Sequence, residues 1–507
     1  MDWLSYPAAS DRILSMIGIE IHWAILQYII GLSLLAAITN VIWHKTKKIE
    51  WFKISRTLTK GFVIVFAVGA AMGTAAEFGL VLLWPNLMVA AGRYIYFPLY
   101  TEIFAFLMEV VFIYMFWIGW KKLPAKAHVI VGFLAFGGAL FSAAMIMSVN
   151  SYMQAPPGII PAYDNGEYLY DKGYPKLILY VPNEIVSALD VEKLKSINVE
   201  ILGKTEDSVI VAMPVLIVKQ LIADSFDGKT VKESILFNVL NSEAQEKLKD
   251  VSVFTIVDAI VINTVKNIGV YTVTFQSPVY VPSFLHTFFA ALTVSAFTVT
   301  AGYGLSLKRK NSDHARLGFK FGSTVALVTI IIQGAVTGHE MGVAVAEWNP
   351  EKFAAMESGT PEFLEGWIAF LAYGNFSAKI PEYSAIPDEL KPPNIVFHLY
   401  YLKITLAVFL TLLALYVTYS AWKGRQVSSI LLISVPVIVQ MVSFLGWAVR
   451  EIGRKPWTIY GIMDVQTAHT MNPPSPGEAA AIALYLILIA VVLLYAVYRF
   501  LWKEVKL

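Results

Sequence analysis

Two histidines and several carboxylates stand inside long apolar runs of this chain. At the centre of a membrane helix such a group costs roughly 2.5–3.5 kcal/mol unless it is paired or solvated. His22 falls in the first apolar run and His286 in the fifth, with Arg12 ahead of His22 and Glu77 in the second run. Glu102 and Glu109 lie in the third run, two helical turns apart on one face. The eighth run closes with Gly446-Trp447-Ala448-Val449-Arg450-Glu451-Ile452-Gly453-Arg454-Lys455-Pro456-Trp457. On a helix Trp447, Glu451 and Arg454 share a face, and Lys455-Pro456 then ends it because proline lacks the donor to continue. Taken alone, that stretch reads equally well as a Trp and Arg anchor at the membrane surface. Histidines on helices suit haem ligation, and carboxylate ladders suit proton movement. Any one of these groups could instead be a hydrogen-bonded tie between helices. Gathered in one chain, they favour chemistry.

The elements that must position these groups are membrane helices. The chain has 507 residues, is 57% hydrophobic and 15% charged, and has a mean hydropathy of +0.61. That composition points to a polytopic membrane protein. A net charge of +2 gives no electrostatic footprint for nucleic acid. Without cysteine there is no disulfide, Fe–S cluster or thiolate-bound metal, so ligation falls to His, Met or carboxylates. About nine apolar spans are predicted, near 13–42, 57–84, 96–120, 127–150, 281–306, 317–338, 396–421, 428–450 and 477–502. Lys45, Lys47, Lys48, Lys121, Lys122, Lys126, Lys308, Arg309, Lys310, Lys423 and Arg425 all fall in connections on one side. By the positive-inside rule that side is cytoplasmic, with the N-terminus outside and the C-terminus inside.

Two connections on the other side are long. Residues 155–280 are predicted to form an external α/β domain inserted between helices 1–4 (residues 1–154) and helices 5–6 (residues 281–338). Its strands are expected at Lys176–Val181, Val199–Leu202, Val209–Val215 and Val270–Phe275, and its helices at Glu184–Lys195 and Val231–Lys249. Residues 339–396 are proline-bearing and read as an ordered external loop, before helices 7–9 in residues 397–507.

Four stretches resemble subunit I of the cytochrome bd quinol oxidases. Residues 446–457 look like the family's G-W-x-x-x-E-x-G-R-Q-P-W, with Lys455 in place of Gln. Gly69, Gly73, Glu77-Phe78 and Trp84 are spaced like its second helix, and Asn150-Ser151-Tyr152-Met153-Gln154 is similar to its N-G-W-M-Q. Gly338-His339 followed by Asn349-Pro350-Glu351-Lys352-Phe353-Ala354-Ala355-Met356-Glu357 resembles its quinol-loop motif G-D…Q-P-x-K-x-A-A-x-E.

The resemblance implies roles. His22 and Glu451 match axial ligands of the oxygen-site haem pair, a high-spin haem b with a haem b or d. Trp447 would lie between haems, and Arg454 and Arg12 would face haem carboxylates. His286 matches one ligand of an outer low-spin haem b, with Lys403 nearby. Glu109 and Glu102 match the acidic groups beside the buried haems, and Ser142 and Asn150 match polar residues of the fourth helix. Lys352 and Glu357 match the quinol-binding pair: a carboxylate takes a quinol proton while a cation steadies the anion. A second, related membrane subunit is implied as partner in a heterodimer.

Three departures accompany the match. The family's second ligand to the outer haem is the methionine of F-R-x-M, and here the run is Leu402-Lys403-Ile404-Thr405. His398, seven residues earlier on the same face, is the candidate replacement. The Glu102–Glu109 spacing is one residue shorter than the family's, and the 155–280 insert is additional. The expected function is therefore the haem-bearing subunit of a membrane quinol:oxygen oxidoreductase that reduces O2 to water with cytoplasmic protons. The alternatives are a non-oxidase electron-transfer member of the same superfamily or a haem-free ion-coupled transporter. A transporter would show matching Gly/Pro-broken halves, and no such symmetry is visible.

Overall fold

Apolar runs of this length must satisfy their own backbone groups in lipid, so they fold as helices. The computed structural model describes residues 9–164, 166–469 and 474–504, and among these all nine expected spans are helical. They are α1 (Ala9–Thr46), α2 (Ile49–Leu83), α3 (Pro85–Ile118), α4 (Ala125–Gln154), α5 (Tyr280–Arg309), α6 (Asp313–Ile331), α7 (Ile395–Trp422), α8 (Ser429–Ile452) and α9 (Pro476–Glu504). Among the described residues, seven are long and apolar enough to cross a bilayer; α2 and α9 include residues whose side chains lie outside the described set.

Helices α1–α4 pack as one ring of neighbours and α5–α8 as a second. The rings meet along α1 and α5, and α9 packs beside α1, α2 and α5. Small residues let the rings approach. A Cβ on Gly31 of α1 would fall 2.1 Å from Ser295 Oγ and 2.8 Å from the Ala291 carbonyl oxygen of α5. Ser295 Oγ donates to the Gln27 carbonyl at 3.1 Å, and Tyr28 and Thr298 hydroxyls lie 3.2 Å apart across the same seam. Such contacts are typical of helix packing in lipid.

Helix α6 does not stop where the sixth apolar span was expected to end. It passes through a π-helical turn, Ile332–Gly338, into a further helix, His339–Trp348. The 339–396 connection is thus largely helical, with Pro350–Glu357 and Glu362–Tyr373 following.

The insert contains a four-stranded antiparallel sheet in the order Ile159–Ile160, Lys176–Pro182, Ser208–Pro214, Glu200–Lys204. Three expected strands are present. The fourth, Val270–Phe275, is instead a 3-10 turn at Val273–Gln276. Thr274 there bonds Ser148 of α4 at 3.0 Å, so this segment docks on a helix and does not pair with a strand. The expected helices are also broken up, into Asn183–Val186, Val191–Ser196, Leu236–Val239 and Ser242–Leu248. A helix not anticipated, Val253–Ile268, begins at Ser252, whose hydroxyl accepts from the Phe254 amide, and ends before Gly269. Its Val253, Ile256, Ile260 and Thr264 are buried at helical spacing. The sheet's apolar core is continuous with Trp84, Leu87 and Tyr152 at the adjoining helix ends and with Trp457–Ala468 after α8.

Candidate functional site

Glu451 closes α8 and collects partners from three directions. Its carboxylate accepts from Asn150 Nδ2 at 3.0 Å, Gln154 Nε2 at 3.3 Å and Arg454 at 2.5 Å. Arg454 lies in the turn after the helix, yet it is only 3% exposed. The preceding residue, Arg450, donates to Asn150 Oδ1, to Ser283 Oγ at 2.9 Å and to Ser151 Oγ at 3.4 Å. Trp447 stacks on Trp23 of α1 with centroids 5.6 Å apart, and Arg450 lies 6.0 Å from the Trp447 ring. The α8 stretch is thus a buried charge network joined to α1, α4 and α5, and not a surface anchor.

The helix Pro350–Glu357 joins this network. Lys352, 3% exposed, donates to Gln154 Oε1 at 3.3 Å and to the Arg450 carbonyl at 3.2 Å. Burial pushes its ammonium well below the ordinary lysine range; the Arg450 charge adds to this and Glu451 opposes it. Asn349 fixes the helix start by donating to the Gln154 carbonyl at 2.7 Å. Glu357 does not face Lys352. Its carboxylate accepts from Thr360 at 2.7 Å and Tyr401 at 2.8 Å, and burial raises its pKa while those two bonds pull it back. The expected pair is therefore two separately held groups on one short helix. Just before Lys352, Glu351, 2% exposed, accepts from Tyr460 at 2.8 Å and Tyr170 at 3.5 Å, tying the loop to the insert and to the chain after α8.

His286 rests on the π-helical turn of α6. Thr337 Oγ1 lies 3.4 Å from its Nδ1, and a Cβ on Gly338 would come within 3.5 Å of the ring. π-turns often mark functional sites. The charges of Lys403 and Arg450 both bear on His286, and the Lys403 ammonium lies 5.6 Å from the Tyr400 ring. His398 and Thr405 are exposed on α7; His398 has a ring contact with Phe397, at 5.2 Å.

His22 meets α2 closely: a Cβ on Gly73 would be 3.0 Å from its Cε1. Glu77 has its side chain outside the described residues. On the α3–α4 seam Ser142 donates to Glu102 at 2.8 Å. Glu109, 4% exposed, packs on Gly138, and the charge of Glu102 bears on it. Arg12 lies near enough to Lys455 for their charges to interact. Burial, with Arg454 adding, pushes Lys455 down to about 7.

Several polar atoms around Glu451 are buried without a protein partner: His22 Nδ1, Trp447 Nε1, Arg454 Nε and NH1, and Glu20 Oε2. A buried guanidinium with two unmet donors suits a carboxylate-bearing cofactor, since buried polar groups are normally paired. Of these residues Glu20 also lines a largely apolar cavity of about 490 Å³ between α1, α2, α8 and α9, with Tyr28, Val65, Gln440, Phe444 and Val491. These features fit haem with its propionates.

Sequence reasoning gave no role to Glu20, Gln154, Glu351 or Arg450. Glu20 carried a signal, a carboxylate in an apolar run two residues before His22. So did Arg450, inside the quoted stretch.

A sequence profile described as Cytochrome bd terminal oxidase subunit I matches residues 11–178, 258–362 and 363–506. The chain is similar to Cytochrome bd ubiquinol oxidase subunit 1 of Bacillus subtilis (strain 168), 23% identical across 89% of this chain and 83% of that one. It is also 33% identical to Cytochrome bd-II ubiquinol oxidase subunit 1 of Escherichia coli (strain K12), over 27% of each chain. Among solved structures, the bd oxidase from Geobacillus thermodenitrificans matches with a TM-score of 0.68 at 21% identity, covering 98% of both chains.

Proposed function

The chain belongs to the cytochrome bd terminal oxidase subunit I family, and on that footing we propose that it is the haem-bearing catalytic subunit of a membrane quinol:oxygen oxidoreductase. One observation carries this: the buried network Lys352–Gln154–Glu451–Arg454, which links the quinol-loop helix directly to the α8 stretch. His286 would hold an outer low-spin haem b. His22 and Glu451 would hold the oxygen-site pair, a high-spin haem b with a haem b or d. Arg454, Trp447, Arg12 and Lys403 would surround the groups' carboxylates and faces. When bound, haems supply one-electron transfer and oxygen reduction.

The protein's own residues do the rest. Glu357 takes a quinol proton, and Tyr401 and Thr360 orient it. Lys352 steadies the quinol anion. Arg454 pairs with Glu451 and orients its carboxylate. Glu109 and Glu102, the latter oriented by Ser142, hold protons bound for water formation. Protons then enter from the lysine-rich side, with the N-terminus on the opposite face. A second, related membrane subunit completes the enzyme.

Lys352→Ala and Glu357→Ala are each expected to lower quinol-driven oxygen uptake by roughly 100-fold, the scale of a positioned acid–base group. The reduced-minus-oxidised haem spectrum should stay unchanged. Normal turnover in both variants would refute the quinol site. Glu451→Ala should alter or remove one oxygen-site haem signal, and a colourless wild-type preparation would end the haem reading. Thr405, in place of the family's methionine, favours a second reading, an electron-transfer member without oxidase turnover. Oxygen uptake by the purified complex separates the two, and Thr405→Met would be expected to create a Met–Fe charge-transfer band.

A further inference from the structure

The helix Glu362–Tyr373 has no part in the proposed chemistry, yet it presents an uncovered apolar face. Phe363, Trp367, Phe370 and Leu371 recur at helical spacing down one side and are 40–78% exposed. Phe376, just past the helix, stacks on Phe370 at 4.4 Å and meets Trp367 at 5.1 Å, extending the stripe. The other side, with Ile368, Ala372 and Tyr373, packs into the cluster of Val345, Phe353 and Met356. Glu362 and Glu365 occupy the first turn, away from the stripe. Apolar on both sides, this helix is not built to face open water.

Its place along the bundle says what covers the stripe. A hydrocarbon core takes about 20 helical residues. Counted from Lys320, at the basic end of α6, that length ends near Glu340; counted back from Lys423, after α7, it ends near Lys403. Glu362–Tyr373 packs on His339–Trp348. The turn before it rests on the start of α7: a Cβ on Gly359 would be 2.8 Å from the Phe397 ring, and the Thr360 and Tyr401 hydroxyls lie 2.7 Å apart. Both anchor points therefore lie just beyond the core, at headgroup level. The helix has 12 residues, which makes it about 18 Å long, too short to cross a bilayer but suited to lie along its surface. The stripe's one polar group, the Trp367 indole N–H, is of the kind that sits where acyl chains meet water.

We propose that Glu362–Tyr373 lies in the bilayer surface, with Phe363, Trp367, Phe370, Leu371 and Phe376 in contact with lipid, and that lipid-dissolved quinol reaches Glu357 along this helix. The second half rests on the quinol-site reading of Glu357. Thr360, which bonds the Glu357 carboxylate at 2.7 Å, stands two residues ahead of the helix, so Glu357 sits at its head. A quinol whose isoprenoid tail lies among acyl chains carries its ring at headgroup level, the level at which Glu357 is held. The stripe gives that tail an apolar surface to follow, with no charge to desolvate on the way.

The chain has no cysteine, so a thiol-reactive fluorophore marks an introduced one, with the unsubstituted complex as blank. Phe363→Cys, Leu371→Cys and, as an exposed control on the same loop, Glu389→Cys are labelled in the purified complex in phosphatidylcholine nanodiscs. Labels at 363 and 371 should be quenched by lipid carrying a nitroxide near the headgroup end of its acyl chain and shielded from aqueous iodide; the label at 389 should do the reverse. Iodide quenching at 363 and 371 equal to that at 389 would overturn the lipid contact. So would shielding from both quenchers, which would mean that a second subunit or a second copy covers the stripe. For the entry role, Phe363→Ser combined with Trp367→Ser should raise KM for a long-tailed quinol in nanodiscs roughly tenfold. The kcat, the haem spectrum and KM for a short-tailed, water-soluble quinol in detergent should stay unchanged. An unaltered long-tail KM would overturn the entry role while leaving the oxidase reading intact. An inactive wild type would overturn the oxidase reading and the entry role together, whatever the labels report.

Discussion

Lys352 and Glu357 share a short helix but face different neighbours, and that separation sets their titration. Burial holds Glu357 above the usual carboxylate range and Lys352 well below the usual lysine range. If Glu357 acts as base and Lys352 as cation, activity rises as Glu357 loses its proton and falls as Lys352 loses its own. The pH profile of kcat/KM for quinol should therefore be narrow, with its acid limb moved up and its alkaline limb moved down. Lys352→Arg should extend the alkaline limb, because guanidinium stays charged. At Lys455 the opposite logic holds. With a pKa near 7 this lysine is largely uncharged in mildly alkaline solution, a polar neutral group like the family's Gln. Lys455→Gln is expected to keep oxygen uptake close to wild type above pH 8 and to change it below pH 6.

At the scale of elements, the site depends on how closely α1 meets α5. Gly31→Val would drive side-chain atoms into Ser295 and the Ala291 backbone. Overpacking of this kind costs about 1–3 kcal/mol. The expected result is a lower melting temperature and weakened haem signals, whereas Gly18→Ala, with open space around its Cβ, should be neutral. The π-turn of α6 belongs to the same scale. It places Thr337 against His286 and carries the helix on to Trp348, which a strict count of apolar residues could not anticipate.

For the whole molecule, the insert is a wall at one end of the helix bundle. Its core includes Trp84, Tyr152, Trp457 and Met463 from outside the segment, and Arg93–Asp258 and Lys219–Asp464 ion pairs fasten its edges. Residues 155–280 expressed alone are expected to lack cooperative thermal unfolding, since part of their apolar surface stays open. A sharp transition in circular dichroism would mark an independent domain. Because Tyr170 reaches Glu351, the insert also steadies the Pro350–Glu357 helix. Glu351→Ala should cost about 1–3 kcal/mol by leaving buried hydroxyls unpaired, read as a drop in melting temperature of the complex.

The sequence by itself determined the membrane class, the nine apolar spans that are helical among the described residues and the four motif stretches, because lipid permits few backbone solutions and charge in apolar runs is conspicuous. It also determined three insert strands, whose β-branched runs stand out from their surroundings. Only the tertiary structure decided which motif residues meet. Lys352 joins Glu451 through Gln154, and Glu357 turns to Tyr401, because helix ends from distant parts of the chain converge there. The same holds for Val270–Phe275, a strand by composition, which had no strand to pair with and a helix to dock on. Local pattern specifies an element, but partners across the fold specify what that element does.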